Sequence, residues 1–402
     1  MPARVLWGLI TDAIRDSGYP FIMFSDNVNA RNNQMHLGLV KASSPSADLV
    51  QFSSTVDTAV SPLASICLPR YLRVDGTVDY DELHRVTKLV VRSLDRIIDV
   101  TNYPTTDAAV SAYRTRSIAI GCQGLADVFS TLEFPFTSDR ARALNKRIFE
   151  TIYHGALEGS SELADSINSY DAWVGSPAER GALQVDMWHA DTSDHYDFDA
   201  LRERIRRTGL RNSVITAQTS TPSTAHLFST SNGIDPYPSN IIQFPILGCD
   251  TKEIVRPLVD ALHKRGLWNE QLRNAILASN GSVQSISAIP DDLKLVFLTA
   301  YELDQRDVIS LAADRAPFID QSQSLTLFVP AITSDLLMDL QLLAWRSGLK
   351  TGAYYVQSNL PTTPFPFAVN NPSTTSFLPP AVQPVSSVSS VHATSLSHNP
   401  DA

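Results

Sequence analysis

The chain has 402 residues, enough for two or three average domains or one large α/β barrel, and its 43% hydrophobic share is ordinary for a globular core. A formal net charge of -10, with no run of lysine or arginine, argues against nucleic acid or an anionic membrane surface as the main partner, because neither attracts an acidic protein. No signal-peptide pattern is present, and no apolar run approaches the ~18 residues that a bilayer span needs, so a soluble cytoplasmic protein is expected.

From Tyr80 to Val100, Leu83, Val86, Val90, Leu94 and Ile97 recur at three- and four-residue steps with charges between them, which predicts an amphipathic helix with that face inward. Similar spacing predicts helices near Arg142–Ala164, near Ala200–Arg207 and along Asp292–Arg315. Between them, the short apolar segments Ser213–Ala217 and Leu325–Val329 read as buried strands. Helices alternating with short buried strands imply an α/β layer architecture. Beyond Phe367 the composition changes: Pro372, Pro379, Pro380, Pro384 and Pro400 stand among serines and threonines, and Asp401 is the only charged side chain. The expected organisation is therefore one domain over 1–367 and a disordered Pro/Ser/Thr-rich tail over 368–402, which has too little apolar surface to offset its ordering entropy.

Cys67, Cys122 and Cys249 are the three cysteines, an odd number with no CxxC pair. They suggest neither a disulfide framework nor a zinc site, and all three are expected as buried small hydrophobes. No cofactor or metal is expected. Asn280, Gly281 and Ser282 form a glycosylation sequon, which carries no weight without a secretory signal.

Several longer blocks carry a resemblance. LWGLITDAIRDSGYPFIMFSDNVNARNNQMHLGLVK (Leu6–Lys41), VDTAVSPLASICL (Val56–Leu68), IAIGCQGLADVF (Ile118–Phe129), GLRNSVITA (Gly209–Ala217), PFIDQSQSL (Pro317–Leu325) and GLKTGAYYVQS (Gly348–Ser358) resemble, in order and spacing, the large subunit of ribonucleotide reductase. So does RGLWNEQLRNAILASNGSVQSI, Arg265–Ile286. The resemblance implies that family's ten-stranded α/β barrel, made of two five-stranded halves around a central finger loop. This chain is expected to hold the finger loop and the second half.

In the family the finger loop carries an asparagine, a radical-forming cysteine and a glutamate at alternate positions. On KASSPSADL, Lys41–Leu49, those positions are Ser44, Ser46 and Asp48. The cysteine accepts a radical from a tyrosine and lifts a hydrogen atom from the substrate ribose, because S–H and phenolic O–H bonds are of comparable strength. An aliphatic O–H bond is far stronger. If forming an alkoxyl radical were uphill by only ~10 kcal/mol, the step would slow by about seven powers of ten. Asp48 keeps the carboxylate on an arm one methylene shorter, and general-base work requires hydrogen-bond reach. A redox cysteine of the family aligns with Ser61, and the family's C-terminal cysteine pair has no counterpart in Asn371–Ala402. Each serine taken alone also reads as a tolerated polar residue; taken together they read as lost chemistry.

Tyr354 and Tyr355 match the family's stacked radical-relay pair, although adjacent tyrosines also serve as packing residues. Thr221, Pro222, Ser223 and Thr224 match a turn that binds substrate phosphate with hydroxyls and backbone N–H groups. Hydroxyl residues at a helix start equally serve as caps, and Pro222 lacks an N–H. Ser220 also departs from the family, which has proline or alanine there.

The resemblance thus implies a ribonucleotide reductase large-subunit relative that is catalytically inactive. Two alternatives stand beside it: a fragment contributing to a working reductase with a separate first half, and a pseudoenzyme interaction module, viral in some relatives. Implied partners are a small subunit, a second large-subunit copy or partner, and a nucleoside diphosphate.

Overall fold

The computed structural model describes residues 1–246 and 249–358, with the backbone alone for 243–246 and 249–251. The expected tail at 368–402 and the side chain of Cys249 lie outside the described residues. Five parallel segments, neighbours in space in the order they occur in the chain, form the frame. Strand β1 (Leu63–Cys67) pairs in parallel with β2 (Ala119–Gln123), Leu63 opposite Ala119 and Cys67 opposite Gln123. Residues 214–218 follow, joined to β2 by the Ile120–Thr216 bridge and by Ile118 N–H to the Val214 carbonyl at 3.0 Å. Next come residues 321–324, bridged through Gln218 and Gln323, which run into β5 (Leu325–Phe328); β5 pairs in parallel with β6 (Ala353–Gln357). A separate antiparallel hairpin joins β3 (Ile241–Ile246) to β4 (Cys249–Ile254).

Strand β2 is buried along its whole length, as a parallel strand covered on both faces should be. Its Gly121 is required by close approach: a Cβ there would sit 2.6 Å from the Ala217 carbonyl oxygen. The expected strand at Ser213–Ala217 is thus present as a bridged, fully covered segment. That at Leu325–Val329 is β5.

The helix Tyr80–Val100 has the expected bounds, opened by Asp79, whose carboxylate accepts the Glu82 N–H at 3.0 Å. Its inward face differs from the expected one. Leu83, Thr87, Val91, Leu94, Asp95 and Ile98 are buried, while Ile97 is exposed and Val86 and Val90 are half-buried. The face is rotated because two polar residues on it are satisfied internally. Thr87 Oγ1 donates to the Leu83 carbonyl, and Asp95 takes Arg116 Nε at 2.7 Å and Asn212 Nδ2 at 3.1 Å. The run expected as one helix over Asp292–Arg315 is broken into Asp291–Val296 and Gln305–Arg315. Asp304 restarts it by accepting the Arg306 N–H. No helix among the described residues is long and apolar enough to cross a membrane.

Cys122 is buried, and burial pushes its thiol up to about 12. Cys67, expected to be buried, is only half-buried at the end of β1. Ile66 faces Cys122 in the register, so side-chain alternation sends Cys67 to the opposite face.

Between β2 and β5 lies a buried polar set. Arg315 Nε donates to Gln323 at 2.7 Å, and Asp235 accepts from Asn232 Nδ2 at 2.9 Å and Thr326 Oγ1 at 3.1 Å. Burial pushes the Asp235 carboxyl up to about 7. Between about pH 4 and 7 the unfolded chain releases a proton that the folded chain keeps, so this group's contribution to stability falls as pH rises through that window and is level above it. Asp235→Asn is expected to gain on the wild type by about 3 kcal/mol between pH 5 and pH 8. Urea unfolding at the two pH values measures it, and an equal difference at both would refute the assignment.

Candidate functional site

The finger loop is clamped at its base by two amides. Asn29 brackets Val40, donating to its carbonyl at 3.1 Å and accepting its N–H at 2.8 Å. Gln34 accepts the Phe52 N–H at 2.8 Å and donates to Ser213 Oγ at 2.8 Å, tying the loop to the 214–218 segment. At the tip, Ser44 N–H bonds the Leu49 carbonyl at 2.8 Å, and Ala47 takes a left-handed conformation with φ 59°. The tip rests on residues 321–324: Ser322 N–H donates to the Asp48 carbonyl and Ser324 Oγ to the Ser46 carbonyl, both at 2.8 Å. Gln51 adds a bond to Gln321 at 3.0 Å.

Ser44, Ser46 and Asp48 are brought together. One oxygen of Asp48, Oδ1, accepts Ser44 Oγ at 2.6 Å, Ser46 Oγ at 2.7 Å and Leu49 N–H at 2.9 Å. Asp48 is 3% exposed, so this oxygen is saturated by the loop's own donors. A carboxylate used in this way holds the turn closed.

Tyr354 and Tyr355 form a close pair on β6, with ring centroids 3.9 Å apart and the Tyr354 hydroxyl donating to that of Tyr355 at 2.9 Å. Burial first, and then the bond to Tyr355, push the Tyr354 phenol up to about 12, with a smaller push from the Asp48 charge. Phe21 and Tyr19 extend the aromatic contact, at centroid spacings of 5.2 Å and 5.0 Å.

Ser61 lies just before β1. Its Oγ is buried with no hydrogen-bond partner among the described residues. An unsatisfied hydroxyl costs about 1–3 kcal/mol, and a thiol, which bonds water weakly, would lose less there.

Thr221–Thr224 open a short helix, Pro222–Phe228, with Pro222 at its first position, where a missing N–H is tolerated. Thr221 does not cap that helix. Its Oγ1 accepts the Gly233 N–H at 2.9 Å, while its N–H goes to Asn232 Oδ1 at 2.6 Å. Thr224 Oγ1 donates to Gln123 at 2.7 Å. Ser223 is exposed.

Sequence reasoning missed the residues that hold the site: Asn29, Gln34, Asp320 and Lys350. All four lie inside the quoted blocks, as polar residues next to apolar segments, which is the signal that could have marked them. It also missed a cluster of His84, His154 and Glu158 on the outer helices, remote in sequence from the finger loop.

The structure thus shows an α/β frame with a loop tip seated on its parallel segments. The chain matches the family model "Ribonucleotide reductase, barrel domain" over residues 1–355 and belongs to that family. It is 40% identical over 368 residues to the ribonucleoside-diphosphate reductase large subunit of Danio rerio, covering 92% of this chain and 46% of the relative. The same identity over the same length relates it to the large subunit of Vaccinia virus (strain Copenhagen), covering 92% and 48%. Among solved structures it is similar to the Actinobacillus ureae class Id ribonucleotide reductase alpha subunit, with TM-score 0.71, 26% identity, and coverage of 88% of this chain and 61% of that one. The chain spans about half the length of the curated relatives it matches.

Asp48→Ala would leave two hydroxyls without their acceptor and the Leu49 N–H with Ser44 Oγ alone, at 3.1 Å. It is expected to lower stability by about 2–4 kcal/mol in urea unfolding, against about 1 kcal/mol for Ser46→Ala. Equal effects would show that Asp48 does not organise the loop.

Proposed function

We propose that this barrel no longer reduces ribonucleotides and that its finger loop has become a structural element. The observation that carries this is Ser46: a hydroxyl stands at the radical position and is spent on Asp48 at 2.7 Å. An O–H bond there cannot accept a radical from a phenol at a useful rate, for the energetic reason given above. Ser61, at a second redox position, removes the reductant as well, and Asp48 has one of its two carboxylate oxygens, Oδ1, spent on three donors of the loop. The tyrosine pair is then a packing and hydrogen-bonding unit of β6.

What the site supports is association. Nucleoside diphosphate binding at Thr221–Thr224 would rest on Ser223 and on backbone N–H groups, because the Thr221 and Thr224 hydroxyls are already committed. Pairing with a small subunit or a second large-subunit copy extends to this chain what its relatives' names as large subunits suggest. An interaction role is favoured by Val5, Leu6 and Leu9, three exposed apolar side chains on the helix Ala3–Ser17.

The purified chain, mixed with a class I small subunit, dithiothreitol and labelled ribonucleoside diphosphates, is expected to form no deoxynucleotide above a control without the chain. Turnover above that control would end the proposal.

A further inference from the structure

Away from the finger loop, the helices Tyr80–Val100 and Asp139–Ser166 pack at short range. A Cβ at Gly155 would lie 3.0 Å from the His84 carbonyl oxygen, and one at Gly159 3.1 Å from Lys88 Cα, so glycine at both positions permits the approach. Beside this contact, His84, His154 and Glu158 bring three ligand atoms within 4.8 Å of one another. His84 Nε2 is 2.9 Å from His154 Nδ1 and 3.6 Å from Glu158 Oε2. His154 and Glu158 are one helical turn apart, so a single helix face presents both. The Tyr196 ring stacks on both imidazoles, at 5.4 Å and 4.6 Å, and limits their rotation.

We propose that His84, His154 and Glu158 bind one divalent transition-metal ion, Zn2+ in the first place, through two imidazole nitrogens and one carboxylate oxygen. The donor set is that of a three-ligand zinc site with an open fourth position. Tetrahedral ligands at about 2.0 Å from the ion stand about 3.3 Å from each other, so the two nitrogens need to part by only about 0.4 Å. Between the facing rings one nitrogen now carries the proton of their hydrogen bond. That ring moves its proton to its other nitrogen, both lone pairs then face the ion, and no proton is lost overall.

Lys88 competes for the carboxylate, its Nζ lying 3.0 Å from Glu158 Oε2. It is also bonded to Glu162, so it keeps a partner when the ion takes Glu158. Arg204 and Arg92 add positive charge to the same carboxylates. These cations weaken binding relative to a structural zinc site, while Asp81 and Asp197, which act on His84 and His154, offset part of their charge.

The test uses the full metal-free chain, titrated with Zn2+ against a chromogenic chelator. One equivalent is expected to bind, and His84→Gln and Glu158→Gln are each expected to weaken it by about tenfold or more while keeping the metal-free melting temperature. The zinc-edge absorption spectrum of the wild-type complex, which no substitution disturbs, is expected to show imidazole and oxygen ligands only. Absence of the equivalent, unchanged affinity in both variants, or a sulfur ligand in the edge spectrum would each overturn the proposal.

Discussion

The Asp320 carboxylate is the fixed point of the domain. It accepts the Ile215 N–H at 2.7 Å, the Thr216 N–H at 3.3 Å and Asn33 Nδ2 at 2.8 Å, while Lys350 Nζ donates to the Asp320 carbonyl at 2.5 Å. Four segments that are remote in sequence meet at one buried residue: the approach to the finger loop, the central parallel segment, the floor of the loop tip and the entry to β6. Burial drives the Asp320 carboxyl up and the Lys350 ammonium down, and each charge opposes the other's shift. The carboxylate rests on those three donors and the ammonium on the backbone carbonyl, so the two groups are held by the fold as well as by each other. The consequence is positional, since the loop tip, its floor and the tyrosine pair share a common origin.

With that origin fixed, the tip has little freedom left. Its two ends are clamped by Asn29 and Gln34, and its underside by Ser322 and Ser324. A reactive side chain at Ser46 would have to be aimed from this rigid frame, and a hydroxyl there is instead turned inward to the neighbouring carboxylate. The shorter arm of Asp48 suits this use, because it reaches the loop's own donors within one to four residues of sequence. All three of those donors converge on Oδ1, one of the two oxygens of the carboxylate.

Regular helices were legible because their apolar spacing is a local property. Tyr80–Val100 is the clearest instance, yet even there the inward face was misjudged, since Thr87 and Asp95 count as surface residues until their internal partners are known. The break at 297–304 escaped notice because Asp304 looks like one more charge on a helical surface rather than a cap. Ser44, Ser46, Asp48 and Ser61 were found through family likeness, and no spacing rule would have isolated them. Gln34 and Asp320 are defined by partners far along the chain, Asn29 by the closure of its own loop and Lys350 by a backbone carbonyl, and polar residues beside apolar segments carry no periodic mark to set them apart.

The hydroxyls of Ser46 and Ser61 differ in hydrogen bonding. Ile66, Ile118, Ile120 and Ile215 belong to one buried apolar cluster around the strands. At Ser46 the hydroxyl has an acceptor two residues away and is part of the turn. At Ser61 the buried hydroxyl has no partner among the described residues, at a cost that a domain of this size can carry. A serine hydroxyl is thus absorbed into local structure where an acceptor lies close, and stands as a small local defect where none does.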